Sequence, residues 1–179
     1  KIYLPRKEGT KLLEQFEGYF ELDNVTIEKY DENDWPIRPE ALKTKKAKET
    51  QINKQADVVM LLHLMGNEFD DETIKENYAY YEKRTLHGSS LSPSIYSVMG
   101  LKVGDDSKAY RYLRRAAFID LLNMQGNTRE GIHAANTGGV WQTIVFGFAG
   151  VSQREDSKLR VCPNMPEEWQ NLTFRLHYK

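Results

Sequence analysis

One cysteine, Cys162, occurs in 179 residues, so no internal disulfide framework can staple this chain. That usage fits a reducing compartment, and a cytoplasmic location is expected. No apolar run approaches the roughly 20 residues that a spanning helix needs, so a membrane is not an expected partner. An excess of charge is missing too: 25 basic residues face 26 acidic ones, a formal net charge of −1. Polyanion-binding domains show a clear basic excess, so nucleic acid is not expected either, and the basic cluster Lys43 to Lys48 reads as a solvated loop. The four histidines, His63, His87, His133 and His177, lie far apart, and no metal-ligand spacing is present. No fixed-length repeat is visible, which argues against a solenoid array. The opening residues KIYLPRKEGT have neither an initiator methionine nor a signal-peptide pattern; they read as the tail of a preceding element, so a fragment is expected.

What is present changes character along the chain. Residues 1–50 show little periodicity. Glu14 to Phe20 is dense in aromatic and acidic groups, and a polar, Pro-containing connection follows from Asp31 to Lys48. These aromatics either floor a sugar site, rings against apolar sugar faces and carboxylates on hydroxyls, or anchor the loop to the core. From Asn53 the pattern turns helical. Ala56, Val59, Met60, Leu62, His63 and Leu64 are too apolar for an exposed amphipathic helix. A mostly buried helix is expected, with Lys54 and Gln55 in its first turn. A cation there opposes the helix dipole, so Lys54 either meets a ligand or snorkels to solvent.

After Gly66-Asn67, Asp70 to Glu82 reads as a more polar helix. In RTLHGSSLSPS, Ser92 is a natural N-cap with Pro93 behind it, starting a helix that runs to about Val103. His87, Ser89 and Ser90 then cluster at a helix mouth. No acid sits at catalytic spacing beside them, which disfavours a Ser-His nucleophile; hydroxyls at a helix N-terminus suit an oxyanion or phosphate. Ser107 to Leu122 is amphipathic: Ala109, Tyr112, Leu113, Ala116, Ala117, Ile119 and Asp120 repeat on the helical period, with Arg111, Arg114 and Arg115 on the solvated face. After Gly150, Leu159, Val161, Trp169, Leu172, Phe174, Leu176 and Tyr178 partly alternate with polar residues, a strand pattern interrupted at Pro163 and Pro166. Polar-outer and apolar-inner helices in alternation stack into α/α toroids, so the chain reads as mainly α with a closing β segment.

The stretch QGNTREGIHAANTGGVWQTIVFGFAG, Gln125 to Gly150, organises the rest. Asn127 and Glu130 stand at capping-box spacing, so a short helix is expected there. A second helix is expected to start near Gly138-Gly139 and to carry Val140, Trp141, Ile144, Val145 and Phe148 inward. Two helix N-termini beside His133 would make an anion site. A Gly-rich bend between buried helices, with His133 hydrogen-bonded in the core, fits the spacing equally well.

Several long motifs in order, KQADVVMLLHLMG, RTLHGSSLSPSIYSVMGLKVGD, QGNTREGIHAANTGGVWQTIVFGFAGV and NMPEEWQNLTFRLHYK, resemble the C-terminal part of glycoside hydrolase family 65, the inverting α-glucoside phosphorylases. EQFEGYFELDNVTIEKYDENDWPIRPE is similar to it as well, most of all to the branch acting on kojibiose. The resemblance covers essentially the whole chain. It implies that residues 1–150 are the second half of an (α/α)6 barrel and that residues 151–179 begin a small C-terminal β-sheet domain. It implies an enzyme converting kojibiose, maltose, trehalose or a similar α-glucoside, plus phosphate, to β-glucose 1-phosphate. By similarity, Lys54 and Gln55 bind the reacting glucose, while Ser89, Ser90, His133, Gly138 and Gly139 hold the phosphate. No cofactor is implied, inorganic phosphate being the co-substrate. The family's general acid is a glutamate upstream of every residue here; neither Glu17 nor Glu130 is assigned that role, and the chain alone is expected to be inactive. The partners implied are the disaccharide, phosphate, the N-terminal part of the same enzyme and, at full length, further copies in a homo-oligomer. His133 favours a phosphorylase over a related α-glucoside hydrolase, which would need a carboxylate base in that neighbourhood. A non-catalytic helical sugar-binding module is the third reading.

Overall fold

In the computed structural model, residues 4–33, 35–153 and 158–178 are described. Lys1, Ile2 and Tyr3, part of the expected tail of a preceding element, lie outside them. Among the described residues, five α-helices are joined mostly by short turns: α1 Asp57–Leu64, α2 Asp71–Glu82, α3 Ser92–Val103, α4 Asp106–Phe118 and α5 Ala134–Gln142. The chain is mainly helical, with one two-stranded antiparallel sheet, β1 Val151–Gln153 and β2 Leu159–Val161.

Helix α3 is the centre: it packs against α1, α2, α4 and α5. Its sequence is apolar or small on every side, and its residues from Ser92 to Ser97, with Met99 and Gly100, are buried. Val59, Leu62, Ile74, Tyr81, Tyr96 and Met99 form the main core around it. Each such side chain contributes about 1.5–3 kcal/mol by leaving water. Helix α2 begins as expected, with Asp70 accepting the Thr73 N–H at 2.7 Å. That bond, with Lys11 behind it, pulls the Asp70 carboxyl down to about 2.

Four sequence expectations are corrected here. Lys54 and Gln55 precede α1 in a bend, so the first-turn charge is Asp57, which favours the helix dipole. Ser92 lies inside α3 and does not cap it; its hydroxyl binds His87 instead. Arg115 belongs to the buried face of α4, 7% exposed beneath the Trp35 ring, and burial brings its guanidinium down to about 9. Arg111 and Arg114 are exposed as expected. Finally, α5 starts at Ala134, a turn before the Gly138-Gly139 pair, and continues as a π-helical turn over Thr143–Phe148. Val145 and Phe148 point inward, but Trp141 is 46% exposed.

Among its described residues the N-terminal segment has isolated β-bridges and one-turn 3-10 helices, the latter at Tyr19–Glu21, Glu40–Lys43 and Ala47–Glu49. Its aromatics serve chiefly as anchors: Tyr19 is 1% exposed, bonds the Gln51 carbonyl at 2.5 Å and packs on Tyr81, while Phe16 is half exposed. At the other end, Gly150 turns the chain with φ 64, and a Cβ there would meet the Cys162 carbonyl. Leu172, Phe174 and Leu176 do alternate, and they pack on Val145, Ala149 and Val151. No ladder pairs them among the described residues, so the strand pattern is realised as an extended strap.

Candidate functional site

Two chain segments are held together at the N-terminal ends of α1 and α3, and a third leads into α5. Asn53 pairs in parallel with Thr85: its N–H donates to the Arg84 carbonyl at 2.7 Å and its carbonyl accepts from Leu86 at 2.8 Å. The pairing runs on, with the Gly88 N–H donating to the Lys54 carbonyl at 2.8 Å. A Cβ on Gly88 would lie 3.2 Å from Lys54 Cγ, so glycine lets the two strands approach. The Lys54-Gln55 bend and the Ser89-Ser90 turn are thereby held side by side. Gln55 and Ser89 line one cavity of about 120 Å³ with Ala56, Asp57, Met60 and Leu91. Gln55 donates to Asp57 at 3.0 Å. The Lys54 ammonium and the Ser89 and Ser90 hydroxyls have no protein hydrogen bond among the described residues.

A buried relay holds the second segment. His87, 1% exposed and at φ 51, sits between Ser92 Oγ at 2.9 Å from Nδ1 and Tyr112 Oη at 3.2 Å from Nε2. Tyr112 gives its proton to Glu82 at 3.1 Å, and Glu82 in turn pairs with Lys108 at 3.0 Å. With the tyrosine proton committed, His87 supplies its own at Nε2 and accepts from Ser92 at Nδ1. Burial, with Arg115 nearby, pushes the imidazole down to about 3. His87 is a neutral strut under the serine turn, with both ring nitrogens used.

The third segment ends on His133, the N-cap residue of α5. The expected one-turn helix lies just before it, at Thr128–Glu130, but Asn127 makes no capping bond, so the capping box does not form. Both Asp120 oxygens serve His133: Oδ1 lies 2.6 Å from Nδ1 and Oδ2 accepts the backbone N–H at 2.7 Å. These contacts, the ring first and the backbone second, hold the Asp120 carboxyl below its usual range. Gly138 and Gly139 lie inside α5, where backbone N–H groups bond to carbonyls four residues earlier. They offer no free donors. Gly138 faces open space, whereas a Cβ on Gly139 would lie 2.6 Å from Ser94 Oγ on α3.

Helix register relates this third segment to the others. Gly139 faces Ser94, and eight residues later Gly147 faces Leu101, seven residues past Ser94. So α3 and α5 run parallel. No hydrogen bond joins His133 to Lys54, Gln55, Ser89 or Ser90 among the described residues. The sequence reading missed Asp120, Tyr112 and Glu82. Asp120 did carry a signal, a carboxylate that continues the inward period of α4 just past its end. Among the described residues no group of three or more His, Cys, Asp or Glu side chains could hold a metal ion, and no helix is long and apolar enough to cross a membrane.

A kojibiose phosphorylase of Thermoanaerobacter brockii is 51% identical over 179 residues, all of this chain and 23% of the relative. A nigerose phosphorylase of Lachnoclostridium phytofermentans is 34% identical over 194 aligned residues, covering all of this chain and 25% of that protein. A solved structure from the human microbiome, provisionally described as a kojibiose phosphorylase, matches 93% of the chain and 23% of its own length, with TM-score 0.77 and 34% identity. The chain thus spans about a quarter of the length of the curated relatives it matches. Residues 1–142 match the model of the glycosyl hydrolase family 65 central catalytic domain, and the chain belongs to that family.

Proposed function

We propose that this chain is the substrate- and phosphate-binding part of an inverting α-glucoside phosphorylase, with kojibiose as the first disaccharide to test. The observation that carries the reading is the Lys54–Gly88 tie, which sets Lys54, Gln55 and Ser89 side by side, the Lys54 ammonium and the Ser89 hydroxyl without a protein hydrogen bond among the described residues and Gln55 held by Asp57. Lys54 and Gln55 take hydroxyls of the reacting glucose. Ser89, Ser90 and His133 take phosphate oxygens; Gly138 leaves room beside them, and Gly139 lets α5 lie close to α3. Phosphate held in line attacks the anomeric carbon while a carboxylic acid protonates the departing glycosidic oxygen. That acid is a glutamate outside this chain, and the chain by itself does not turn over. No cofactor takes part.

In the same proposal, residues 1–150 form the second half of an (α/α)6 barrel, and residues 151–179 begin the following β domain. Parallel α3 and α5 with α4 between them in sequence support it, as do the exposed Leu64, Leu121, Leu122 and Ile132. Such side chains suit an apolar face that neighbouring helices cover. The complete enzyme is then a cytoplasmic homo-oligomer. The test is to incubate the intact protein with kojibiose, with and without inorganic phosphate, and assay β-glucose 1-phosphate and free glucose. Phosphate-dependent release of the sugar phosphate is expected. Phosphate-independent hydrolysis would assign the related hydrolase instead, and sugar phosphate released by the isolated chain would refute its incompleteness.

A further inference from the structure

Asp120 does more than end a helix. It lies in the turn after α4, anchored by the 1%-exposed Ile119. The turn is laced: the Ile119 carbonyl accepts the Met124 N–H at 2.8 Å, and Asn123 Oδ1 accepts the Thr128 N–H at 3.0 Å. From this fixed base the carboxylate gives both oxygens to one residue, at 2.6 Å to the His133 ring and 2.7 Å to its backbone. Receiving the chain at the mouth of α5 needs only the backbone contact. The contact to the ring is additional, and it sets the ring's orientation. Among the described residues no other hydrogen bond or aromatic contact holds the ring, and its side chain is 22% exposed. A carboxylate facing Nδ1 requires the proton on that nitrogen and leaves Nε2 for a ligand.

We infer that Asp120 is a positioning residue, fixing His133 with Nδ1–H toward the carboxylate, so that the bare Nε2 accepts the P–OH hydrogen of hydrogen phosphate; a proton on Nε2 instead removes that contact. The inference rests on the phosphorylase reading above. Its logic is one of counting. His133 offers two donors, the backbone N–H and Nδ1–H, and an ionised Asp120 supplies two acceptors. Asparagine supplies one acceptor and one donor group in the same shape. In Asp120→Asn the backbone N–H keeps the amide oxygen, the amide nitrogen donates to Nδ1, and the ring proton moves to Nε2.

The test uses the intact protein with 15N-labelled histidine and steady-state kinetics. In wild type the His133 signals should show the proton on Nδ1, and in Asp120→Asn on Nε2. The variant's KM for phosphate should rise about tenfold or more, with the KM for disaccharide within twofold. Because Asp120 acts through His133, Asp120→Asn should add nothing to phosphate KM in a His133→Ala background. A ring proton indifferent to Asp120→Asn, or an additive effect in that background, overturns the inference. If the wild type cleaves disaccharide without phosphate, the phosphorylase reading falls by itself, and the spectra alone decide whether Asp120 positions the ring.

Discussion

Acidification should destabilise this protein through His87 before the Asp70 or Asp120 carboxylate responds. The imidazole is buried and neutral, with its folded value near 3 against 6.5 for an exposed histidine. Its folded pKa is depressed, so between those values the unfolded chain binds a proton that the folded chain refuses. Stability from this group is complete above pH 6.5 and is lost as pH falls toward 3. Full displacement gives about 1.4 kcal/mol per pH unit, and integration from pH 7 to 5 gives about 2 kcal/mol. Asp70, drawn down to about 2, responds only below this interval. His63, lowered by burial and by Lys102, acts in the same direction, so the comparison must be with a variant that keeps it. His87→Gln preserves a donor for Tyr112 and an acceptor for Ser92 while removing the titration. Urea midpoints measured at half-unit steps from pH 7 to 5 should fall by about 2 kcal/mol more in wild type than in His87→Gln. Parallel curves would show that His87 does not titrate as a buried neutral group, and the relay with Tyr112 and Glu82 would have to be redrawn.

Adjacent glycines should respond oppositely. Gly138→Ala, exposed and inside α5 with no atom near its Cβ, should stabilise by about 0.5–1 kcal/mol, whereas Gly139→Ala should destabilise by about 1–3 kcal/mol through contact with Ser94; denaturant midpoints decide both. At Gly150, alanine meets a positive φ and the Cys162 carbonyl together, so a loss of at least about 2 kcal/mol is expected by the same assay. Lys54→Met should leave stability within about 0.5 kcal/mol, because the side chain is exposed and unpaired. It should cut kcat/KM for disaccharide by about tenfold to a hundredfold if Lys54 holds the reacting sugar; an unchanged value would remove it from the site.

The parts legible in the sequence are those with local causes. Helix α2 follows from the Asp70 cap and α4 from its period, and both lie within a residue or a few of where they were expected. The misreadings have non-local causes. The start of α1 is delayed because Asn53 pairs with Thr85, thirty-two residues away, which keeps Lys54-Gln55 out of the helix. Gly138-Gly139 reads as punctuation, yet Gly139 is small because α3 crosses there, a demand set by Ser94. Arg115 shares the inward period with Tyr112, Ala116 and Ile119, so position placed it correctly while charge argued against it. The tie between Asp120 and His133 spans an aperiodic loop, and no spacing rule reaches across it.

Those misreadings converge on one feature of the architecture. Every residue singled out for ligand contact lies just before or at the first turn of α1, α3 or α5, except the two glycines within α5. Helix N-termini are where unpaired N–H groups collect, and such groups favour an anion. Free N–H groups do not by themselves position anything, because the segments that lead into them are loops. Each mouth here is instead tied to an element remote in sequence: Lys54 to Gly88, Ser92 through His87 to Tyr112 and Glu82, and His133 to Asp120. In-line displacement tolerates errors of only about 1 Å in the nucleophile. Under the proposed phosphorolysis, ties that fix these loops to helices are what such a tolerance demands, and on that reading they account for buried polar groups that stability alone would replace with apolar ones.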